Sequence, residues 1–241
     1  MIILRNLPLI VIDPGHGGFD PGGGSNQYFK EKDKNLQISS YQKQRFDELG
    51  IISVLVRNDD ITLNPNDRIN QIKSLSTNPN DILISNHINS GNDQGGELIY
   101  SIRGSNALPK QIANNLKSVG LPIRNVYTRL GRTNKDYYFI LRDTPFNNAM
   151  IIEYGFATNE NDTKRLIEDW QVLSEAVVKA IANYLQVTYT PPKNLYYVVK
   201  NNDSLYKIAK KFNTSVEKLK SINNLNSDTI LTGITLIIPN E

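Results

Sequence analysis

The apolar run Leu7–Ile12 breaks off at Asp13-Pro14-Gly15-His16-Gly17-Gly18, and glycine recurs as far as Gly24. A strand with one wet face alternates apolar and polar residues. This run does not alternate, so it reads as a strand in the middle of a parallel sheet, covered on both faces. Helices and strands then follow in turn. Asp33–Leu49 reads as a helix stopped by Gly50, and Ile51–Val56 as a strand. Asn64-Pro65 opens a helix to about Leu75, with proline suited to its first turn. Asp81–Ser85 and Gly96–Ile102 read as strands, and Asn106–Val119 as a helix ended by Gly120. Tyr137–Leu141 and Ala149–Glu153 read as further strands, and Asn161–Glu168 and Val172–Leu185 as helices. The expectation is an α/β domain over residues 1–187, a mostly parallel central sheet flanked by helices.

The texture then changes. Residues 188–194 carry Pro191-Pro192, which suits an extended, semi-rigid linker. Residues 195–241 read as a small βααβ module: strand Tyr196–Lys200, helices Leu205–Phe212 and Ser215–Ile222, strand Thr235–Ile238. Asp203 or Ser204 can cap the first helix, and Thr214 or Ser215 the second. The module has no histidine and no carboxylate pair at a useful spacing, so it reads as a binding unit.

Composition narrows the chemistry. Of 241 residues, 39% are hydrophobic and 21% charged, a balance that argues against wholesale disorder. Cysteine is absent, which excludes disulfides, thiolate metal sites and a cysteine nucleophile. A metal would have to be held by His, Asp or Glu, and there are two histidines. The net charge of +3 permits an anionic partner without pointing to one; neither a nucleic acid nor an obligate protein partner is expected. The run Met1–Ile12 is interrupted by Arg5, Asn6 and Pro8, too short to span a bilayer, and lacks a small-residue cleavage site. It reads as a buried strand, and the expectation is a protein made in the cytoplasm without a signal peptide and without a membrane span.

Both histidines follow strands: His16 after Leu7–Ile12, and His87 after Asp81–Ser85. Ligands of open α/β sheets bind at that carboxyl edge. Glu153 closes a strand at the same edge, and Glu31 lies just before the helix that begins near Asp33. A catalytic zinc takes three protein ligands and leaves one position for water, and a further carboxylate can carry the proton. His16, Glu31 and His87 supply such a ligand set, and Glu153 such a base. Taken singly, Gly-His-Gly can be a turn and Glu31 a helix-dipole contact. Glu153 is harder to dismiss, because a buried unpaired carboxylate is costly.

These residues resemble the zinc-dependent N-acetylmuramoyl-L-alanine amidases of bacterial cell-wall lysis. Val11–Gly22 (VIDPGHGGFDPG), Lys30–Leu36 (KEKDKNL), Ser85–Ser90 (SNHINS) and Ile151–Leu166 (IIEYGFATNENDTKRL) are similar to that family's four ordered motifs. Val56-Arg57, Leu63 with Arg68, and Phe139–Arg142 fall at matching intermediate places. The resemblance covers about residues 7–186. It implies one catalytic Zn2+ on His16, Glu31 and His87, Glu153 as catalytic residue, and Arg142 and Asn89 as candidate substrate contacts. Asn86, Ile88 and Glu160 depart from the pattern, which bears on the shape of the groove. Residues 196–239 resemble a LysM module. That implies binding of N-acetylglucosamine-containing glycan strands in a shallow groove near Asn202, Asp203, Ser204, Leu205, Asn226 and Ile230.

The function so implied is hydrolysis of the bond between N-acetylmuramic acid and L-alanine of the peptidoglycan stem peptide, with the tail holding the enzyme on the wall. The alternatives are a zinc peptidase cutting within the stem peptide and a non-catalytic glycan-binding protein. The expected setting is action on the wall after release, by phage-driven or mother-cell lysis.

Overall fold

The computed structural model describes residues 7–240. Met1–Asn6, where the first apolar run begins, lie outside the described residues. The chain divides into two compact units, Met1–Tyr189 and Thr190–Glu241.

The first unit contains β1 (Ile10–Pro14), α1 (Glu31–Glu48), β2 (Ser53–Leu55), α2 (Pro65–Leu75), β3 (Ile82–Asn89) and β4 (Gly96–Tyr100). It continues with α3 (Ala107–Ser118), β5 (Ile123–Tyr127), α4 (Phe139–Arg142), β6 (Asn148–Phe156), α5 (Glu160–Glu168) and α6 (Trp170–Tyr184). The strands form one sheet in the order β2-β1-β3-β6-β4-β5. All neighbours are parallel except β4 and β6. The expected strand Leu7–Ile12 is β1, shifted toward the glycine loop, and its five residues are all buried. Side chains alternate across it. Val11 joins Ile72, Leu83, Phe146 and Ile151 in the core under α2 and α4. Ile10 and Ile12, also fully buried, face the side on which α1 packs against β1 and β3, and α1 and α3 pack on α6.

One expected strand needs correction, and one strand was not foreseen. Tyr137–Leu141 is not a strand; its second half is the single helical turn α4, which buries Ile140 and Leu141. A short unbroken apolar run fits a strand and a buried helical turn equally, because periodicity has nothing to act on. Ile123–Tyr127 is a strand, unforeseen because it lies at the sheet edge with Arg124 and Asn125 exposed and no apolar alternation. The start of α1 is also two residues earlier than expected, so Glu31 is its first residue.

In the second unit β7 (Asn194–Val198) and β8 (Thr235–Pro239) pair antiparallel, with α7 (Leu205–Lys211) and α8 (Val216–Ile222) between them. Ser204 and Ser215 are the caps, accepting from the backbone N–H of Lys207 and Lys218. Tyr197, Leu205, Ile208, Leu219, Leu236 and Ile238 make the core. Among the described residues, no helix is long and apolar enough to cross a membrane.

Candidate metal centre and catalytic cleft

The central strands β1, β3 and β6 point their carboxyl ends at one rim, and three glutamate and histidine side chains meet there. Glu31 Oε1 lies 3.2 Å from His16 Nε2 and 3.1 Å from His87 Nδ1. One donor atom from each residue falls within 4.8 Å of the others. The two imidazoles stand edge to face with centroids 4.9 Å apart. Each histidine is about one-quarter exposed, whereas the Glu31 side chain is 2% exposed.

Local sequence explains the convergence. Gly15 allows His87 to lie against the loop: a Cβ there would sit 2.3 Å from the imidazole Cε1. Gly22 has φ +86°, and a Cβ on it would reach within 2.4 Å of Glu31 Oε2. Glu31 is held by the backbone, its Oε2 accepting from Gly24 N–H (2.7 Å) and its Oε1 from Ile88 N–H (3.0 Å). Its own N–H, at the open N-terminus of α1, donates to Ser25 Oγ. Asp20 Oδ2 lies 2.7 Å from His16 Nδ1, so that nitrogen carries the hydrogen and Nε2 is left as a ligand atom. The sequence reading missed Asp20, although its four-residue spacing from His16 was visible.

The charges are strongly coupled. Burial pushes Glu31 up, but hydrogen bonds and charge from both histidines outweigh it and hold the carboxyl well below its usual range. Burial pushes His16 down, yet Glu31 and Asp20 outweigh it and raise its pKa to about 9. Two nitrogens and one oxygen brought this close could hold a metal ion and leave a position open.

Glu153 lies opposite His87 in the β3–β6 register. Its Oε2 is buried and has no hydrogen-bond partner among the described residues. Burial dominates and raises its pKa to about 7; the charge of His87 opposes that rise, and the charges of Glu31 and Glu97 add to it. The antiparallel register places Glu97 directly across from it. Glu97 is another residue the sequence did not reveal, since only strand pairing brings it there; Asn89 and Arg124 donate to its carboxylate. A cavity of about 220 Å³ opens on the centre, lined by His16, His87 and Glu153 and by Leu63, Tyr138 and Phe139.

The remaining expected site residues fall elsewhere. Asn89 is beside the centre, but its amide is engaged with Glu97. Arg142 lines an adjoining depression with Asn70 and Lys73, which shares Pro65 and Phe139 with that cavity. Its guanidinium bonds to the Asp143 carboxylate and to the Tyr137 carbonyl. The three residues that depart from the amidase pattern are not among those lining that cavity. Asn86 and Ile88 are buried. Asn86 donates to Ser39 and Gln42 of α1 and accepts from Tyr154, a satisfied polar network on the α1 side of the sheet. Glu160 is the exposed first residue of α5, a position where either proline or an acid is favourable.

In the small unit, Asn202 takes φ +68°, which explains asparagine in the place of a glycine. The Asp203 carboxylate accepts from Lys200 N–H and Tyr197 O–H. Leu205 needs correction as a glycan contact: it is 2% exposed and its side chain serves the core. Asn226 is exposed and Ile230 half-buried.

Comparison with known proteins identifies the family of both units. Residues 10–183 match the N-acetylmuramoyl-L-alanine amidase family model, and residues 197–239 match the LysM domain. The chain is 28% identical over 180 residues to the probable cell wall amidase LytH of Staphylococcus aureus, covering 73% of this chain and 57% of LytH. It thus spans little more than half the length of that relative. Among solved structures it is similar to the N-acetylmuramoyl-L-alanine amidase AmiC2 of Nostoc punctiforme (27% identity, TM-score 0.64, 74% of this chain and 97% of that one). It is also similar to the catalytic domain of the amidase CwlV from Bacillus (Paenibacillus) polymyxa var. colistinus (25% identity, TM-score 0.64, 76% and 100%). With its fold, its rim of histidines and glutamates and these matches, the chain belongs to the N-acetylmuramoyl-L-alanine amidase family and carries a LysM domain behind the amidase domain.

Proposed function

We propose that the protein hydrolyses the amide bond between N-acetylmuramic acid and L-alanine in peptidoglycan, using a zinc ion held by His16, Glu31 and His87. The observation that carries this reading is the meeting of those three donors with the unpartnered Glu153 oxygen at one rim. When bound, the zinc supplies Lewis acidity: it polarises the amide carbonyl and makes water acidic near neutral pH. Asp20 keeps the His16 hydrogen on Nδ1, and the backbone N–H groups of Gly24 and Ile88 hold the Glu31 carboxylate in place. Glu153 Oε2 takes a proton from the attacking water and hands it to the alanine nitrogen as the C–N bond breaks. The products are a lactyl carboxylate and a free alanine amine. A carboxyl whose pKa lies near 7 can serve in both directions. Mass spectrometry of products from purified walls tests the reading: stem peptides with a free N-terminal alanine are expected, and cleavage inside the stem peptide or between sugars overturns it.

Zinc competes with a proton. With His16 raised to about 9, the metal-free protein carries a proton there at neutral pH, and zinc must displace it. Zinc affinity, measured by chelator competition, is therefore expected to rise about tenfold per pH unit from pH 7 to 9 and level off above.

The LysM domain serves, in this proposal, to hold the enzyme on glycan strands of its insoluble substrate, with Asn202 and Asn226 among its exposed polar groups. Tethering raises the local concentration of the catalytic unit without any new contact there. A chain ended after Tyr189, the last residue of the first compact unit, is expected to cleave soluble muropeptides at the full-length rate but to sediment less with purified walls. Equal sedimentation of both chains removes the anchoring role.

A further inference from the structure

Two buried arginines that the mechanism does not use grip the loop that carries His16. Arg57, in the segment after β2, is 2% exposed, and Arg68, on α2, is 5% exposed. Arg57 donates to the carbonyls of Pro14 (3.0 Å), Gly15 (3.0 Å), Lys32 (2.8 Å) and Asp59 (3.1 Å). Arg68 donates to Asp13 Oδ1 (2.5 Å) and to the carbonyls of Pro14 (3.0 Å) and His16 (2.7 Å). Three consecutive carbonyls, those of Pro14, Gly15 and His16, thus end on guanidinium groups. His16 itself has φ +60°, a left-handed backbone that a residue with a Cβ adopts only when its surroundings impose it. Lysine cannot replace either arginine in this role, since a single ammonium lacks the planar fork that reaches several carbonyls at fixed angles.

We infer that Arg57 and Arg68 are positioning residues for the metal ligand His16: by drawing the Pro14–His16 carbonyls inward, they hold the left-handed turn that aims the imidazole at Glu31 and His87. The inference rests on the ligand assignment proposed above, and one set of variants separates the two. Zinc affinity, the visible spectrum of the cobalt-substituted protein and the melting temperature of the metal-free protein are measured for wild type, His16→Ala, Arg68→Lys, Arg57→Lys and Arg45→Lys. Arg45 is the control, a buried arginine of α1 paired with Glu175 on α6 and absent from the metal loop. Arg68→Lys is expected to lose about 10–100-fold in zinc affinity, the cost typical of removing a group that orients a ligand, and to alter the cobalt spectrum. Arg45→Lys is expected to lower the melting temperature with zinc affinity and spectrum unchanged. A folded Arg68→Lys with wild-type affinity and spectrum overturns the inference. If that variant does not fold, Arg57→Lys decides in the same way, because it leaves the Asp13–Arg68 pair in place. Wild-type zinc affinity in His16→Ala instead overturns the ligand assignment itself.

Discussion

Glu153→Gln is expected to keep its zinc and its fold and to lose about 10²–10⁴-fold in turnover, the range that general acid–base assistance contributes. The substitution preserves volume and removes only the ability to take a proton at neutral pH. Three measurements on one preparation make the result interpretable. Zinc content is expected to equal wild type, because Glu153 is outside the donor set of His16, Glu31 and His87. The melting temperature is expected to be no lower, because the glutamate has a buried oxygen without a partner and the amide carries no charge to desolvate. The pH dependence has a definite sign. The carboxyl is raised from 4.5 to about 7 in the fold, so the metal-free wild type binds more protons folded than unfolded between those values and loses stability as pH rises through them. Glu153→Gln lacks that loss, and its advantage in melting temperature is expected to grow from pH 4.5 to 7 and then stay constant. Near wild-type turnover in a folded, zinc-loaded variant removes Glu153 from the chemistry.

His87→Ala is expected to abolish zinc binding and activity together. It deletes one of three donors, and the loss of affinity is expected to exceed the roughly 10–100-fold that follows from losing an outer partner of a ligand. The side chain is only part-buried, so the metal-free variant is expected to melt close to metal-free wild type. Binding to the folded state alone stabilises it. Zinc should therefore raise the melting temperature of wild type and leave that of His87→Ala unmoved. Full zinc occupancy in the variant, by elemental analysis, rules out the ligand set.

Much of the fold was legible because its signals are local. The unbroken apolar run at β1, the glycines around His16, the proline that opens α2 and the serine caps of α7 and α8 each act within a few residues of where they stand. The order of the four motifs also marked His16, Glu31, His87 and Glu153 without any coordinates. Local signals failed where burial alone chooses the structure. Tyr138–Arg142 turns into α4 because a helical turn buries Ile140 and Leu141 under the sheet, and β5 exists because β4 offers it a partner, not because of its own residues.

What the sequence by itself determined is the set of chemical groups, two imidazoles, two carboxylates and the small residues that let them approach; His87 and Glu153, expected at strand ends, lie inside β3 and β6. Tertiary structure alone decided which of their neighbours take part. Strand register sets Glu97 against Glu153, the alternation of β3 sends Asn86 to the α1 side, and the packing of α2 brings Arg68 to the carbonyl of a residue 52 positions earlier. Each of these depends on pairing and packing between segments far apart in the chain, where hydrogen-bond geometry and close contact are fixed only once both segments are in place, so no local pattern could encode them.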